Sequence, residues 1–314
     1  MNLHRLPAER AEKNHPLRVA LIGAGKFGSM FLAQAPRIPE FTSLPLPTSR
    51  RIAHVPASCT GWLAALAALS AALAVHAADI TVRNVSYRNS DIAIDARLYL
   101  PAGAGPHPAV LFVHGRRGWD EPADRQVRRI AEYGFAVLAP DYHSPRFIPA
   151  WPESHDPATE KDVELGLDFL KTAPGVRSDK VCVVGISRGG YHAVLLAAQR
   201  AEVAFIVTYY GHMVNPNAPE PWQVFRYAPE IDRIKVPALF IVGDEDFEVR
   251  RIGIRRAFYA LIARGVPAEL RVYPHARRAF DFRDDPREEE KLATRDAARW
   301  TARFMRDVLG GSQQ

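Results

Sequence analysis

A serine with a glycine two residues before it and another two residues after it stands between an apolar run and a helix-forming run. Gly185, Ser187 and Gly189 have the G-x-S-x-G spacing of a nucleophile elbow, a sharp turn from strand to helix. The apolar residues 181–184 are typical of a buried strand, and residues 194–198 favour a helix. N–H groups at the start of that helix are suited to stabilising a developing anion. The pattern predicts a serine nucleophile for acyl transfer, and the alternative is a glycine-rich turn that only packs.

The chain after residue 79 alternates between strand-like and helix-like segments, as expected of a sheet covered by helices on both faces. Residues 80–101 contain two alternating runs, which predict an antiparallel hairpin at a sheet edge. The further strands are predicted at 109–113, 135–139, 181–184, 204–207, 238–242 and 269–273, and helices at 124–133, 160–171, 250–264 and 287–309. We therefore predict one α/β domain over residues 79–314, with a mostly parallel sheet of about eight strands flanked by helices.

Several polar side chains directly follow predicted strands. In open parallel sheets, ligands bind beyond the carboxyl ends of the strands. The residues in such places are His114, Asp141, Ser187, Tyr210 and Asp246, together with the loop after Tyr273.

Six segments together resemble the dienelactone hydrolase family, which has the α/β-hydrolase fold. They read HGRRGW, LAPDY, GISRGG, TYYGH, GDEDFEVR and YPHARRAFDF. The order of serine, acid and late loop is also the order of that fold. The resemblance covers the chain from about residue 80 onwards and implies hydrolysis of a carboxylic ester or lactone through an acyl-serine intermediate, without a cofactor.

The resemblance also implies individual roles. Ser187 would be the nucleophile, and Asp246 occupies the acid's place in the family's G-x-x-D turn, which favours it over Asp244. The oxyanion hole would be formed by the backbone N–H of Arg188, directly after the nucleophile, and that of Arg116. The acid would orient a histidine and stabilise its positive charge.

The general base is where this chain departs from the family. The late loop of the family reads Y-x-x-x-x-H-x-F, and Arg278 stands at the histidine position. Arginine stays protonated and is no base. We predict His275, three residues earlier on the same loop, as the substitute. The other histidines are His192, expected to pack beneath the elbow, and the lesser candidates His143 and His212. If none reaches Ser187, the alternative is a weakly active or non-catalytic ligand-binding protein.

Arginines are concentrated near the predicted mouth of the site. They are Arg116, Arg117, Arg188, Arg277, Arg278 and Arg283. Solvated surface charge is the ordinary role of arginine, but guanidinium groups also bind carboxylates. We predict a small-molecule substrate that bears a carboxylate, bound by Arg117, Tyr210 and Arg278. Gly115 replaces an acidic residue common in the family, which argues against dienelactone itself.

Composition excludes several other classes of protein. The net charge of +6 is concentrated in residues 1–78, which hold eight basic and three acidic residues. The predicted domain therefore has no basic excess that suggests nucleic-acid binding. Cys182 is the one cysteine of the domain and Cys59 lies in the leader, so no disulfide framework is expected within the domain. We expect no metal, no cofactor and no obligate protein partner.

The leader begins with a fragment that resembles the first turn of a Rossmann dinucleotide-binding domain. Gly23, Gly25 and Gly28 have the G-x-G-x-x-G spacing, and the resemblance extends over residues 18–40. Prolines follow, and there is no second βαβ unit. We interpret residues 1–49 as an irregular leader with a vestigial fragment that does not bind NAD.

The second part of the leader, residues 50–78, has the pattern of a secretory signal peptide. Two arginines precede an apolar run at 62–75, and small residues close it. Cleavage near Ala77 would release a periplasmic or secreted protein. The alternative is a membrane anchor, because residues 59–78 contain no charged side chain and are long enough to span a bilayer.

Overall fold

The structure, a computed structural model, describes residues 80–310. The predictions made for residues 1–49 and 50–78 lie outside the described residues. Eight strands form one sheet in the order β1-β2-β4-β3-β5-β6-β7-β8. The strands are β1 (Thr81–Asn89), β2 (Ile92–Leu100), β3 (His107–Val113), β4 (Ala136–Pro140), β5 (Val176–Ile186), β6 (Val203–Tyr209), β7 (Ala238–Glu245) and β8 (Ala268–Arg277).

Helices cover both faces of this sheet. They are α1 (Glu121–Glu132), α2 (Ala158–Thr172), α3 (Gly189–Gln199), α4 (Glu220–Phe225), α5 (Glu248–Ala263) and α6 (Glu288–Gly310), with 3-10 turns at Ser144–Arg146 and Pro229–Arg233. Within residues 80–310, no helix combines the length and apolarity needed to cross a membrane.

The sheet has the predicted mixture of pairings. β1 and β2 form an antiparallel hairpin in which Asn89 pairs with Ile92, and Ser90 in the turn has a φ of 52°. β2 is antiparallel to β4, and the pairings from β4 through β3 to β8 are parallel. The predicted mostly parallel eight-stranded sheet is confirmed.

Alternation along the central strands divides the core into two layers. Leu111 and Val183 pack with α2, α3 and α5 on one face, and Val110 and Cys182 pack with α1 and α6 on the other. Because side chains alternate between faces along a strand, a run that is apolar at every position buries both faces. Cys182 is a buried free thiol, as expected of a small core residue.

Two segments differ from the prediction. The proline-rich loop after β6 contains α4 and a 3-10 turn, because proline at the first helical positions does not interrupt a short helix. The last strand extends to Arg277, four residues beyond its predicted end, and therefore includes His275.

Candidate active site

The elbow has the strained geometry that its glycines permit. Ser187 lies between β5 and α3 with a φ of 55°, in the left-handed region that costs energy for a residue with a side chain. A Cβ at Gly185 would lie 2.3 Å from the Gly189 carbonyl oxygen, and one at Gly189 would lie 2.1 Å from that of Val113. Only glycine allows this close backbone approach. The turn holds Ser187 at the wall of a cavity.

Asp246 lies directly after β7, and its carboxylate is fully buried. The backbone N–H of Phe247 donates to its Oδ1 at 2.7 Å. Burial raises the pKa of Asp246, while the charge and hydrogen bonds of the Arg278 guanidinium act in the opposite direction. A buried carboxylate is stable as an anion only with such partners, so Asp246 and Arg278 form one unit.

Arg278 occupies the space between acid and nucleophile. Its Nη1 donates to both oxygens of Asp246, at 3.0 and 3.1 Å, and its Nη2 donates to Ser187 Oγ at 2.7 Å. The guanidinium thus makes the two contacts that the imidazole makes in a Ser-His-Asp triad. It donates in both directions and accepts in neither, because arginine has no acceptor nitrogen at accessible pH.

His275 does not reach Ser187, and its prediction as the general base is wrong. Gly243 pairs with Tyr273 but Glu245 pairs with Arg277, so β8 bulges at this point. The bulge gives His275 a φ of 57° and leaves its side chain 72% exposed, with Nδ1 3.7 Å from a Glu245 oxygen. The side chain is directed to solvent, away from the cavity.

Of the other three candidate histidines, two pack against aromatic rings and one lines the cavity. His192 packs in α3 against the rings of Tyr142 and His155, beneath the elbow as predicted. His143 is buried edge-on against the ring of His114, and burial lowers its pKa to about 3. His212 is the exception, since it lines the cavity together with Ser187.

The predicted oxyanion hole lies on the β3 side of the elbow. Gly115 approaches the nucleophile so closely that a Cβ there would lie 2.9 Å from the Ser187 Cβ. Arg116 is the next residue and lines the cavity, while Arg188 follows Ser187 as the residue that precedes α3. The assignment of their backbone N–H groups as oxyanion donors stays a prediction.

The cavity in front of Ser187 has a volume of about 640 Å³, which suits a small organic molecule. Its walls combine aromatic rings with cationic side chains. The aromatic rings belong to Phe112, Trp151, Tyr210, Phe247 and Phe282, and the cations are Arg116, Arg117, Arg250, Arg278 and Arg283. Acidic side chains also line it, and two of these are paired: Asp120 with Arg117 at 2.7 Å, and Asp285 with Arg283 at 3.2 Å.

Two of the arginines expected at the mouth have other roles. The Arg188 side chain is buried and donates to the carbonyl oxygens of Pro152, Glu153 and Ser154, at 2.7 to 3.0 Å. These hydrogen bonds hold the loop that contains Trp151 against the elbow. Arg277 pairs with Glu290 and Asp285 beside α6 and does not line the cavity.

The three predicted substrate-binding residues differ in what their side chains contact and how far they are exposed. Arg117 is half-exposed, pairs with Asp120, and lies with Arg116 over the Trp151 ring. Tyr210 is buried, and its hydroxyl donates to Asp281 at 2.9 Å, so it presents its ring to the cavity. The Arg278 guanidinium lies 5.3 Å from the centre of that ring, a cation–π distance.

Several cavity residues were absent from the predicted site, among them Trp151, Phe247 and Arg250. Arg250 and Phe247 belong to the same GDEDFEVR segment as Asp246, so a sequence signal for them exists. Trp151 lies in a loop with no motif of its own and reaches the cavity because Arg188 anchors the residues after it. Among the described residues, no group of three or more His, Cys, Asp or Glu side chains is arranged to hold a metal ion.

The eight-stranded sheet, the serine elbow after β5 and the acid after β7 define an α/β-hydrolase. The model of the dienelactone hydrolase family matches residues 94–309, and the chain belongs to this family. The resemblance stated from the sequence motifs is thereby confirmed. So is the assignment to a family of carboxylic ester hydrolases.

Individual relatives agree with this assignment. A putative carboxymethylenebutenolidase of Methylorubrum extorquens is 26% identical over 258 residues, covering 77% of this chain and 88% of the relative. A putative dienelactone hydrolase of Klebsiella pneumoniae subsp. pneumoniae superposes with a TM-score of 0.57 at 23% identity, over 71% of this chain and 97% of its own. The dienelactone hydrolase-like promiscuous phosphotriesterase P91, from metagenomic libraries, superposes with a TM-score of 0.58 at 20% identity, over 73% of this chain and 98% of its own. The two structures support the fold.

Proposed function

We propose that this protein hydrolyses a small carboxylic ester or lactone through an acyl-serine intermediate on Ser187. The observation that carries the proposal is the serine held at a φ of 55° against a cavity, with a guanidinium 2.7 Å from its Oγ. Membership of a family of ester and lactone hydrolases supports the same reaction. Arg278 replaces the base of the usual triad.

The arginine changes how Ser187 is activated. A cation that donates to Oγ stabilises the alkoxide and lowers the pKa of the hydroxyl, but it takes no proton from it. The proton must leave to solvent, so the reactive fraction of Ser187 grows with pH. Attack on the acyl-serine by water also lacks a base between the acid and the nucleophile, because Arg278 occupies that position. We therefore expect slow turnover, with deacylation slower than acylation.

The cavity favours a particular kind of substrate. Its aromatic walls suit a flat apolar body, and Arg250 and Arg283 supply charge that suits a carboxylate. With Arg278 in place of the imidazolium that protonates the leaving group in a triad, the site favours leaving groups that are stable as anions, such as enols and phenols. We propose a carboxylate-bearing aromatic or conjugated ester or lactone as the substrate class.

The test is a pre-steady-state assay with p-nitrophenyl acetate. The expected result is a burst of p-nitrophenol close to one equivalent, followed by slow turnover, with the acetyl group found on Ser187 by peptide mass spectrometry. S187A should give neither burst nor acetylated peptide. A burst that persists in S187A, or an acetyl group on another residue, would overturn the proposal.

A second candidate function follows from the same arginine. Arg278 is bonded to the nucleophile and the acid together, which is a stable arrangement with no proton acceptor between them. We propose non-catalytic binding of a carboxylate ligand in this cavity as the alternative. No burst with activated esters, combined with saturable binding of aromatic carboxylates by calorimetry, would favour it over hydrolysis.

We propose further that the domain acts outside the cytoplasm, after cleavage near Ala77. The support is the apolar run at 62–75 with two arginines before it. N-terminal sequencing of the protein recovered from the periplasm or medium tests this. An uncleaved chain in the membrane fraction would favour the anchor formed by residues 59–78.

A further inference from the structure

Two histidines line the cavity that contains Ser187. One is His114, whose Nδ1 lies 2.9 Å from the Gly115 carbonyl oxygen, and the other is His212. His212 lies three residues beyond the end of β6, lines the cavity, and is 7% exposed. Its backbone N–H donates to the Ser187 carbonyl oxygen at 2.8 Å, which ties it to the elbow. Its Nδ1 is buried and has no hydrogen-bond partner within residues 80–310. A buried polar atom without a partner calls for an explanation.

The surroundings of His212 keep its ring neutral. Burial lowers the pKa of His212 well below its usual value, and the neighbouring guanidinium groups lower it further. These groups belong to Arg250, Arg278, Arg188 and Arg116. A neutral imidazole carries one N–H and one bare nitrogen. An N–H buried without an acceptor is costly, so the proton is favoured on Nε2, where water or substrate in the cavity can accept it.

The order of the strands places His212 on a definite side of the nucleophile. β3 and β6 flank β5, and the predicted oxyanion donor Arg116 follows β3. His212 follows β6, on the side that also carries Asp246 after β7 and Arg278 after β8. In a Ser-His-Asp triad, the leaving group is met by the residue between acid and serine. His212 is therefore on the leaving-group side.

We propose that His212 is a catalytic residue that donates an Nε2–H hydrogen bond to the leaving-group oxygen of the bound ester or lactone. This proposal rests on the proposed hydrolysis. Ser187 Oγ, having lost its proton to solvent, forms a bond to the acyl carbon. The bond from that carbon to the leaving oxygen then breaks, and its electron pair stays on the oxygen. His212 stabilises the developing anion and keeps its own proton, and water protonates the product.

The test compares two variants on two substrates. H212L removes the donor, whereas H212Q keeps an N–H donor at similar reach but has no titratable nitrogen. Phenyl acetate releases a more basic anion than p-nitrophenyl acetate and so depends more on the donor. We expect H212L to lower kcat/KM for phenyl acetate roughly 100-fold and for p-nitrophenyl acetate about 10-fold, and H212Q to stay within about 5-fold of the parent on both.

Each other outcome has a defined meaning. A loss in H212Q as large as in H212L, with disappearance of an acid limb from the pH–rate profile, would make His212 a general base and overturn the donor role. Unchanged kinetics in both variants, or an equal loss on both substrates, would also overturn it. H212M replaces H212L if the latter does not fold. Full activity in S187A would instead contradict the proposed hydrolysis, leaving the two failures distinguishable.

Discussion

The guanidinium of Arg278 joins Asp246 to Ser187, with its Nη2 2.7 Å from the serine Oγ. The contact has the connectivity of a catalytic triad but the opposite proton chemistry. An imidazole accepts the hydroxyl proton, whereas this guanidinium donates to the hydroxyl oxygen. The site therefore keeps the electrostatic part of serine activation and lacks the proton-transfer part.

Replacing this one side chain should supply the missing base. In R278H, the imidazole lies at the family's histidine position, between a buried acid and the elbow serine. General-base assistance is worth roughly 100-fold or more, so we expect kcat for p-nitrophenyl acetate to rise by about that factor. The pH–rate profile should gain a limb near pH 6 to 7, about the range of histidine. Steady-state kinetics from pH 5 to 9 measure both effects.

R278Q is the matched control for this gain. Glutamine removes the cation without adding a base, so its activity should stay at or below that of the parent. An equal gain in R278H and R278Q would show that arginine merely blocks the cavity. No gain in R278H, with the fold intact by circular dichroism, would contradict the role of position 278 as the place of the base.

The sequence was sufficient for the parts of the site that depend on local spacing. The elbow follows from glycines within two residues of Ser187, and the acid turn from Asp246 three residues after Gly243. The position of Arg278 also followed from the spacing of the late loop. What spacing did not reveal is that an arginine would bridge both partners, because that depends on how three separate strand ends converge in the sheet.

The errors have a common physical cause, which is side-chain direction. His275 is close to Arg278 in sequence, but the bulge in β8 turns its side chain to solvent. Because Arg188 is next to Ser187 in sequence, the pattern predicts it at the mouth. Its side chain instead donates to backbone carbonyls 34 to 36 residues away in sequence. Neither register shifts nor such long-range anchors leave a local pattern, so sequence position alone misdirects the assignment.

The partly buried carboxyl of Asp281 should make stability depend on pH. Asp281 accepts hydrogen bonds from Tyr210 and Gln126, and burial raises its pKa to about 6, above an unfolded value of 3.8. The folded state thus binds more protons between these values, so the free energy of unfolding falls as pH rises from about 4 to 6. The loss should be of the order of 2–3 kcal/mol. Urea unfolding at several pH values measures it.

D281N is the control for this pH dependence. The asparagine side-chain oxygen can accept the hydrogen bond from Tyr210. Its NH2 group can donate to the Gln126 Oε1, which has no partner among the described residues, if the Gln126 side-chain amide flips. We expect the slope between pH 4 and 6 to become smaller and the variant to be at least as stable as the parent at pH 7. A slope that is unchanged in D281N would assign the effect to other groups.

The anchor formed by Arg188 should matter for the cavity wall as well as for stability. Its guanidinium donates to Pro152, Glu153 and Ser154, three acceptors that a lysine ammonium cannot match in a plane. We expect R188K to lose about 1–3 kcal/mol of unfolding free energy, since hydrogen bonds from a charged group are lost. Because Trp151 lies in the same loop, directly before these acceptors, KM for aromatic esters should rise more than kcat falls. A change in kcat without a change in KM would contradict the proposal that Arg188 positions the cavity wall.

Two glycine substitutions should have opposite effects on stability. A Cβ at Gly185 would meet the Gly189 carbonyl oxygen at 2.3 Å, which forces the elbow backbone to move. A Cβ at Gly253, inside α5, would meet its nearest neighbours at 3.9 and 4.0 Å, which is ordinary contact. We expect G185A to lose about 3 kcal/mol or more and G253A to gain about 0.5–1 kcal/mol, the usual advantage of alanine over glycine in a helix. Chemical unfolding measures both, and a stable G185A that still forms the acyl-serine would show that the close approach of Gly185 to Gly189 is not needed to hold Ser187.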